Sequence, residues 1–459
     1  MITTTPFLAE SKSAAVGLGM PDLRIVALSV AITAGRSAEE LTRVAKELAP
    51  AIIDALTKDV PRKKTAKTEP PKPKPAEVLT FTGKNYVNAL ENLEKFFLTN
   101  RWSDGFPIVP PTKEAVEEML KGTDLPRDHA VGIVDPKKGI ATVERIAINA
   151  VMAGARPAYM PLIIALLQAL MDPAFELYGV QCTGALTAPL VIVSGPIIKD
   201  LNINFSYSTA GPGWRSNSTI GRAMRLILIN LGQAWPGIND MKDVGNPAKF
   251  GIVMAENEVQ KPPLWPTLRE QEGFSKEVST VSVYASQSYR QITDKQKYLL
   301  PTYKPKAVVD PMIVEHMKTA LNNIAAYWGE EMVITFSPVM AEQLDKQGYT
   351  PDKIAKELYE KGRVRRDQFG PRPLGAVGVA SRVPKWIDEL PDDGLVPVVP
   401  SPEYIKIIVS GGRGPGSGFI IDRYGFGNSR FVTKKIKIPP NWAELVKDLS
   451  GWETPIEVK

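Results

Sequence analysis

Between Asn202 and Glu258 the chain crowds together groups able to hold an anion and to move a proton. Residues Tyr207 to Arg222 read YSTAGPGWRSNSTIGR. Gly211, Pro212 and Gly213 force an irregular backbone just before a helix expected to begin near 217–220. The N–H groups of such a loop, with the positive end of a helix behind them, favour an anion. Arg215 and Arg222 add guanidinium forks, which offer a carboxylate or phosphate two parallel donors. The plainer reading is a capped helix entered by a tight turn, but packing does not require Trp, Arg, Asn and Ser in a loop. Gly211, Gly213, Trp214, Arg215, Asn217 and Arg222 are therefore the expected substrate-binding residues.

The segment Ala255-Glu-Asn-Glu258 directly follows a short apolar run. Open α/β sheets collect ligands at the carboxyl ends of their strands. On an extended backbone Glu256 and Glu258 share one face, about 7 Å apart. Two such carboxylates divide acid and base roles or chelate a hard divalent cation, and a solvated acidic loop is the plainer alternative. A divalent metal ion is the only cofactor these residues suggest. Asp104, in the rigid loop Trp102-Ser-Asp-Gly-Phe-Pro-Ile-Val-Pro-Pro111, is a third catalytic candidate; a structural turn capping the next helix is the alternative.

Other reactive types carry less. Cys182 precedes a buried strand and is read as a small hydrophobe, since a catalytic thiol needs a neighbouring base. His129 and His316 sit in ordinary polar surroundings and are read as structural or exposed. The tract Gly411-Gly-Arg-Gly-Pro-Gly-Ser-Gly418 follows a strand but matches neither phosphate-loop pattern, because no helix follows it. It reads as a flexible loop over a site.

Apolar periodicity supplies the elements that must position these groups. Helices are expected at Asn85–Asn100, Lys113–Lys121, Arg145–Ala155, Met160–Met171, Ile220–Leu231, Asp310–Tyr327, Pro338–Gln347 and Thr350–Lys361. Strands are expected at Pro189–Ser194, Phe250–Met254, Val278–Tyr284, Glu331–Phe336 and Tyr404–Ser410. Strands alternating with helices point to an α/β fold with mainly parallel, doubly wound sheets. Residues 1–58 read as a small αβα segment, with a helix at Phe7–Gly17, a strand at Leu23–Thr33 and a helix from Ser37 to Leu56. Pro61–Glu77, with five prolines, reads as a solvated tether within a linker at 59–78. A main α/β domain at 79–300 and a second α/β lobe at 301–459 complete the expected organisation.

Composition excludes several classes. The 459 residues hold 56 basic and 50 acidic side chains, a net charge of +6. Six basic and two acidic residues fall in Pro61–Glu77, so that tract carries +4 and the remaining 442 residues only +2. A nucleic-acid-binding domain spreads basic charge over a face or along a helix, and this chain does not. One cysteine allows no internal disulfide, and two histidines allow no three-histidine metal site. No run of about 20 apolar residues exists, so no membrane span is expected and a cytoplasmic location is.

Several of these stretches resemble one bacterial family. They are Ser103–Thr112, Asn149-Ala-Val-Met-Ala-Gly154, Gly211-Pro-Gly, Ile220-Gly-Arg-Ala223 and Ala255-Glu-Asn-Glu258. Together they resemble the large proteins associated with UGSC-motif (seleno)proteins, over roughly Asn85 to Ile436. Residues Thr5–Lys58, through Gly19-Met-Pro-Asp-Leu-Arg24, resemble the C-terminal half of a UGSC-type domain without its Cys/Sec-Gly-Ser-Cys motif. The resemblance implies a multi-subunit system and no mechanism. The expected function is a small-molecule enzyme, or an enzyme's large subunit, of lyase or hydrolase type. It would act on a small anionic substrate, either as a homo-oligomer or with a small partner subunit. The alternative is a non-catalytic scaffolding subunit whose partner carries the reactive Cys or Sec.

Overall fold

The computed structural model describes residues 20, 22–28, 38–58, 77–293, 311–320, 328–369, 383–414, 416–423 and 429–452, with a few positions before 20. Of the expected helix at Phe7–Gly17 only Leu8, Ser11, Lys12 and Ala15 are described, all of them helical, and the tether at Pro61–Glu77 lies outside the described residues, its last residue apart. Strands β1 (Ile2–Thr4) and β2 (Val26–Leu28) pair in parallel. Strands β3 (Ala130–Val134) and β4 (Gly139–Thr142) pair antiparallel.

The main sheet comprises β5 (Ala188–Ser194), β6 (Val253–Ala255), β7 (Thr280–Thr293), β8 (Met332–Phe336), β11 (Ile405–Val409), β12 (Ser417–Arg423) and β13 (Val432–Lys435). Two three-residue strands, β9 (Arg363–Arg365) and β10 (Leu395–Pro397), form a separate antiparallel pair. The main order is β11-β8-β12-β7-β5-β6, with β13 also on β7. Only β5/β6 and β8/β11 are parallel; the pairings of β7 with β5, β12 and β13, and of β8 with β12, are antiparallel. The fold is thus mixed α/β, and the mainly parallel sheet expected from the sequence is corrected. Two crossover units read correctly, but β7 and β12 run antiparallel between them. Strands buried on both faces are continuous apolar runs in either direction, so their pattern does not encode orientation.

The sheet curls until its edge strands meet. The Asn257 amide donates to the Val409 carbonyl (2.7 Å), and Ser410 Oγ donates to the Ala255 carbonyl (2.8 Å). Side chains alternate across the pleat. Leu190, Ile192, Met254, Tyr284, Val333, Ile408 and Ile421, drawn from six strands, form one inner cluster. The intervening residues of β5 and β7 face outward against helices α1 (Val143–Ala153), α2 (Met160–Leu170) and α4 (Arg215–Asn230). Those of β8 and β11 face a second outer core that includes Pro338–Lys346 and Pro351–Lys361. The sheet runs unbroken across the division expected at residue 300. Between α2 and β5 lies the short helix α3 (Leu177–Cys182). Among the described residues no single helix is long and apolar enough to cross a membrane.

Helix α4 begins at Arg215, earlier than expected, and ends at Asn230. It crosses the chain at Gly251 so closely that a methyl group on Gly221 would run into the Gly251 backbone. Gly221→Ala is therefore expected to cost about 3 kcal/mol, because backbone rather than a flexible side chain must give way. Urea unfolding checks this, and a wild-type midpoint would refute the crossing.

Candidate functional site

Glu256 leaves the end of β6 and turns inward, 1% exposed. Its Oε2 accepts from Ser194 Oγ (2.7 Å), and both oxygens accept from the Leu268 amide (3.0 Å). Glu258 accepts from the Gly195 amide and pairs with Arg269. The two carboxylates flank the same Ser194–Gly195 turn, from an irregular segment beyond the strand rather than from an extended one. Burial pushes the Glu256 carboxyl up to about 7, against the lowering effect of the Ser194 hydroxyl. Both Glu256 oxygens and Oε1 of Glu258 face N–H or O–H donors, a poor fit to a hard cation. Among the described residues no group of three or more His, Cys, Asp or Glu gathers around a cation site. The glycine tract after β11 does approach this edge: Asn257 Nδ2 donates to the Gly411 carbonyl (2.8 Å), and the Tyr207 ring packs on Gly412.

Asp104 and Arg222 were expected in different roles, and the structure joins them to each other. Arg222 Nε and Nη2 grip the two Asp104 oxygens (2.8 and 2.9 Å), and Nη2 also reaches the Pro107 carbonyl (2.9 Å). This bidentate pair fastens the 103–111 loop to α4 and leaves neither group directed at a substrate. Asn217 differs from expectation in the same way. It is buried, accepts from the Asn204 amide (2.8 Å) and donates to the Val253 carbonyl (3.0 Å), a strut between loop and β6. Trp214 donates to Asn202 Oδ1 (3.2 Å). Pro212 and Gly213 are exposed, with Gly213 in the left-handed region (φ 126°). Arg215 donates twice to the Gly154 carbonyl (3.2 and 2.9 Å) and keeps no carboxylate partner among the described residues.

A denser constellation lies farther along α4, built from residues the sequence reading passed over. The turn Trp235–Asp240 folds back on itself, with the Asn239 and Asp240 amides both donating to the Trp235 carbonyl. Asn246 then clips the following loop to the sheet by donating to the carbonyls of Leu186 (2.8 Å), Ser286 and Gln287. This brings Lys242 and Lys249 onto the two oxygens of Asp240. Lys242 Nζ also caps the last turn of α3 through the carbonyls of Val180 (2.9 Å) and Gln181 (3.2 Å). Arg225, buried on α4, donates to the Ala234 carbonyl (3.3 Å). Cys182, buried at the end of α3, lies within electrostatic reach of both ammonium groups.

Two lysine cations thus share one carboxylate, with the charge of Arg225 pressing on both. Burial pushes Lys242 down to about 8, and burial with the nearby Arg225 pushes Lys249 down to about 7. The neighbouring Cys182 thiol opposes both shifts, and Asp240 is divided between the two ammonium groups. Burial likewise takes Arg225 to about 10. The Lys242 side chain is 1% exposed and that of Lys249 13%, so Lys249 is the member that reaches solvent. Next to Cys182, Gln181 is 1% exposed, and neither atom of its side-chain amide has a hydrogen-bond partner among the described residues. The signal for this site in the sequence was faint. Lys242, Lys249 and Asp240 stand singly in a loop, and only tertiary folding brings them to α3 and α4. No protein-family model matches the chain, and no curated protein matches it.

Proposed function

We propose that this chain is an enzyme, or the large subunit of one, of lyase or hydrolase type acting on a small anionic organic molecule. The anion is held by Arg225, Lys242 and Lys249. The observation that carries the reading is the crowding of positive charge: Lys242 and Lys249 divide Asp240 between them, and the charge of Arg225, itself opposed by Asp104, presses on both lysines. A buried ionised group needs a partner, and a bound carboxylate or phosphate supplies one. Lys249, poised near neutrality and nearest to solvent, exchanges the proton. Asp240 orients its amine, while Lys242 and Arg225 supply fixed charge. Proton transfer and stabilisation of developing negative charge are the two things such a set does.

A thermal-shift panel of small carboxylates and phosphate esters tests this on the full chain. At least one ligand should raise the melting temperature saturably, and Lys242→Gln should weaken that ligand about tenfold, equivalent to about 1.4 kcal/mol. A panel without a saturable ligand, or one whose affinity ignores Lys242→Gln, would refute the assignment.

A further inference from the structure

Two cations without a carboxylate partner among the described residues lie at the other end of α4. The guanidinium carbons of Arg156 and Arg215 stand 4.7 and 4.3 Å from the centroid of one indole ring, that of Trp452. Cation–π attraction to a shared ring is modest and leaves two like charges side by side. Neither arginine has a carboxylate partner among the described residues. Arg156 Nε is buried without a hydrogen-bond partner among the described residues, and Arg215 uses Nε and Nη2 on a single carbonyl. Burial and the Arg156 charge both press the Arg215 guanidinium below its ordinary range.

Beside Arg215 opens a narrow cleft with room for about one water. It is lined by polar Asn202, Arg215 and Ser216 and by apolar Leu201, Leu449 and Trp452, and Trp452, its cover, is 44% exposed. Helix α4, 16 residues long, points its N-terminus here, and its N-cap Trp214 makes no side-chain capping bond. The positive helix end therefore adds to the two guanidinium groups.

We infer that Arg156 and Arg215 form a binding site for the oxyanion of a small molecule, a carboxylate or a phosphate, with Trp452 covering it. This site is separate from the lysine cluster. Arg215 and Arg225 are ten residues apart on one helix, about 15 Å, and Arg222 between them is engaged by Asp104. The inference does not depend on the function proposed above.

Trp452 is a built-in reporter. With 5-fluorotryptophan incorporated into the full chain, its fluorine resonance is assigned by loss in Trp452→Phe, and the other seven tryptophans report whether the fold persists. Inorganic phosphate and malonate are titrated separately. The Trp452 resonance should move saturably with at least one of them, about tenfold less tightly in Arg156→Gln and in Arg215→Gln. Lys249→Met should leave that titration unchanged. Arg156→Lys, which keeps the charge but loses the fork, should fall between wild type and Arg156→Gln, and it serves if the glutamine variant misfolds. No saturable shift below roughly 50 mM, or undiminished affinity in the arginine variants, overturns the site.

Discussion

Replacing Lys249 by methionine should make the protein more stable at pH 6 by roughly 2 kcal/mol while abolishing the activity proposed above. The two effects have one cause. In the folded state the Lys249 ammonium is pushed from its ordinary 10.5 to about 7 by burial and by Arg225. For a base whose pKa falls on folding, the cost of charging it is fully present below the folded value. It fades as pH rises from about 7 toward 10.5, where the unfolded chain also loses the proton. At about 1.36 kcal/mol per pH unit that cost approaches 5 kcal/mol. Removing the amine also takes one partner from Asp240, which returns part of the gain, although Lys242 remains on the other oxygen. Urea unfolding at pH 6, 7.5 and 9 measures the difference, which should shrink with pH. A variant less stable than wild type at pH 6 would mean that the Asp240 pair outweighs burial, and the cluster would then be a structural lock.

Glu256→Gln should produce the opposite pH profile. Its carboxyl is raised from 4.5 to about 7, chiefly by burial. The protonated form is thus favoured on folding. Stability from this group is complete below about pH 4.5 and is lost as pH rises through about 7. Glutamine keeps the shape and stays neutral. Wild type and variant should therefore be equally stable near pH 4.5, and the variant should gain up to about 3 kcal/mol by pH 8. Asp422, also raised to about 7 by burial, loses stability over the same range in both proteins and cancels in the comparison. Unfolding midpoints that differ by a constant amount at all pH values would show that Glu256 is not a buried titrating acid.

Element types were legible because they rest on local physics. Met160–Leu170 is apolar on all sides, and it is a helix buried almost all round. Thr350-Pro351 opens the helix at Pro351 with the Thr350 side chain as its cap. The glycine tract after β11 leads into a strand and not a helix, which agrees with the rejection of a phosphate loop. The start of α4 was misjudged by several residues, because Trp214 gives no side-chain capping bond to mark it.

The candidate sites were legible only as inventories. The sequence alone determined that the chain has no thiol pair, no histidine triad and almost no net charge outside one tract, and that an arginine-bearing helix follows a Gly-Pro-Gly loop. Which arginine keeps no carboxylate partner among the described residues was decided by folding: Arg222 meets Asp104, 118 positions away, while Arg215 meets the Gly154 carbonyl and shares the Trp452 ring with Arg156. The direction of the strands was likewise decided in three dimensions, as was the gathering of Lys242 and Lys249 on one aspartate beside Arg225. The physical reason is common to these cases. Periodicity and capping act within a few residues along the chain, whereas the charge state and availability of a side chain depend on what burial places beside it.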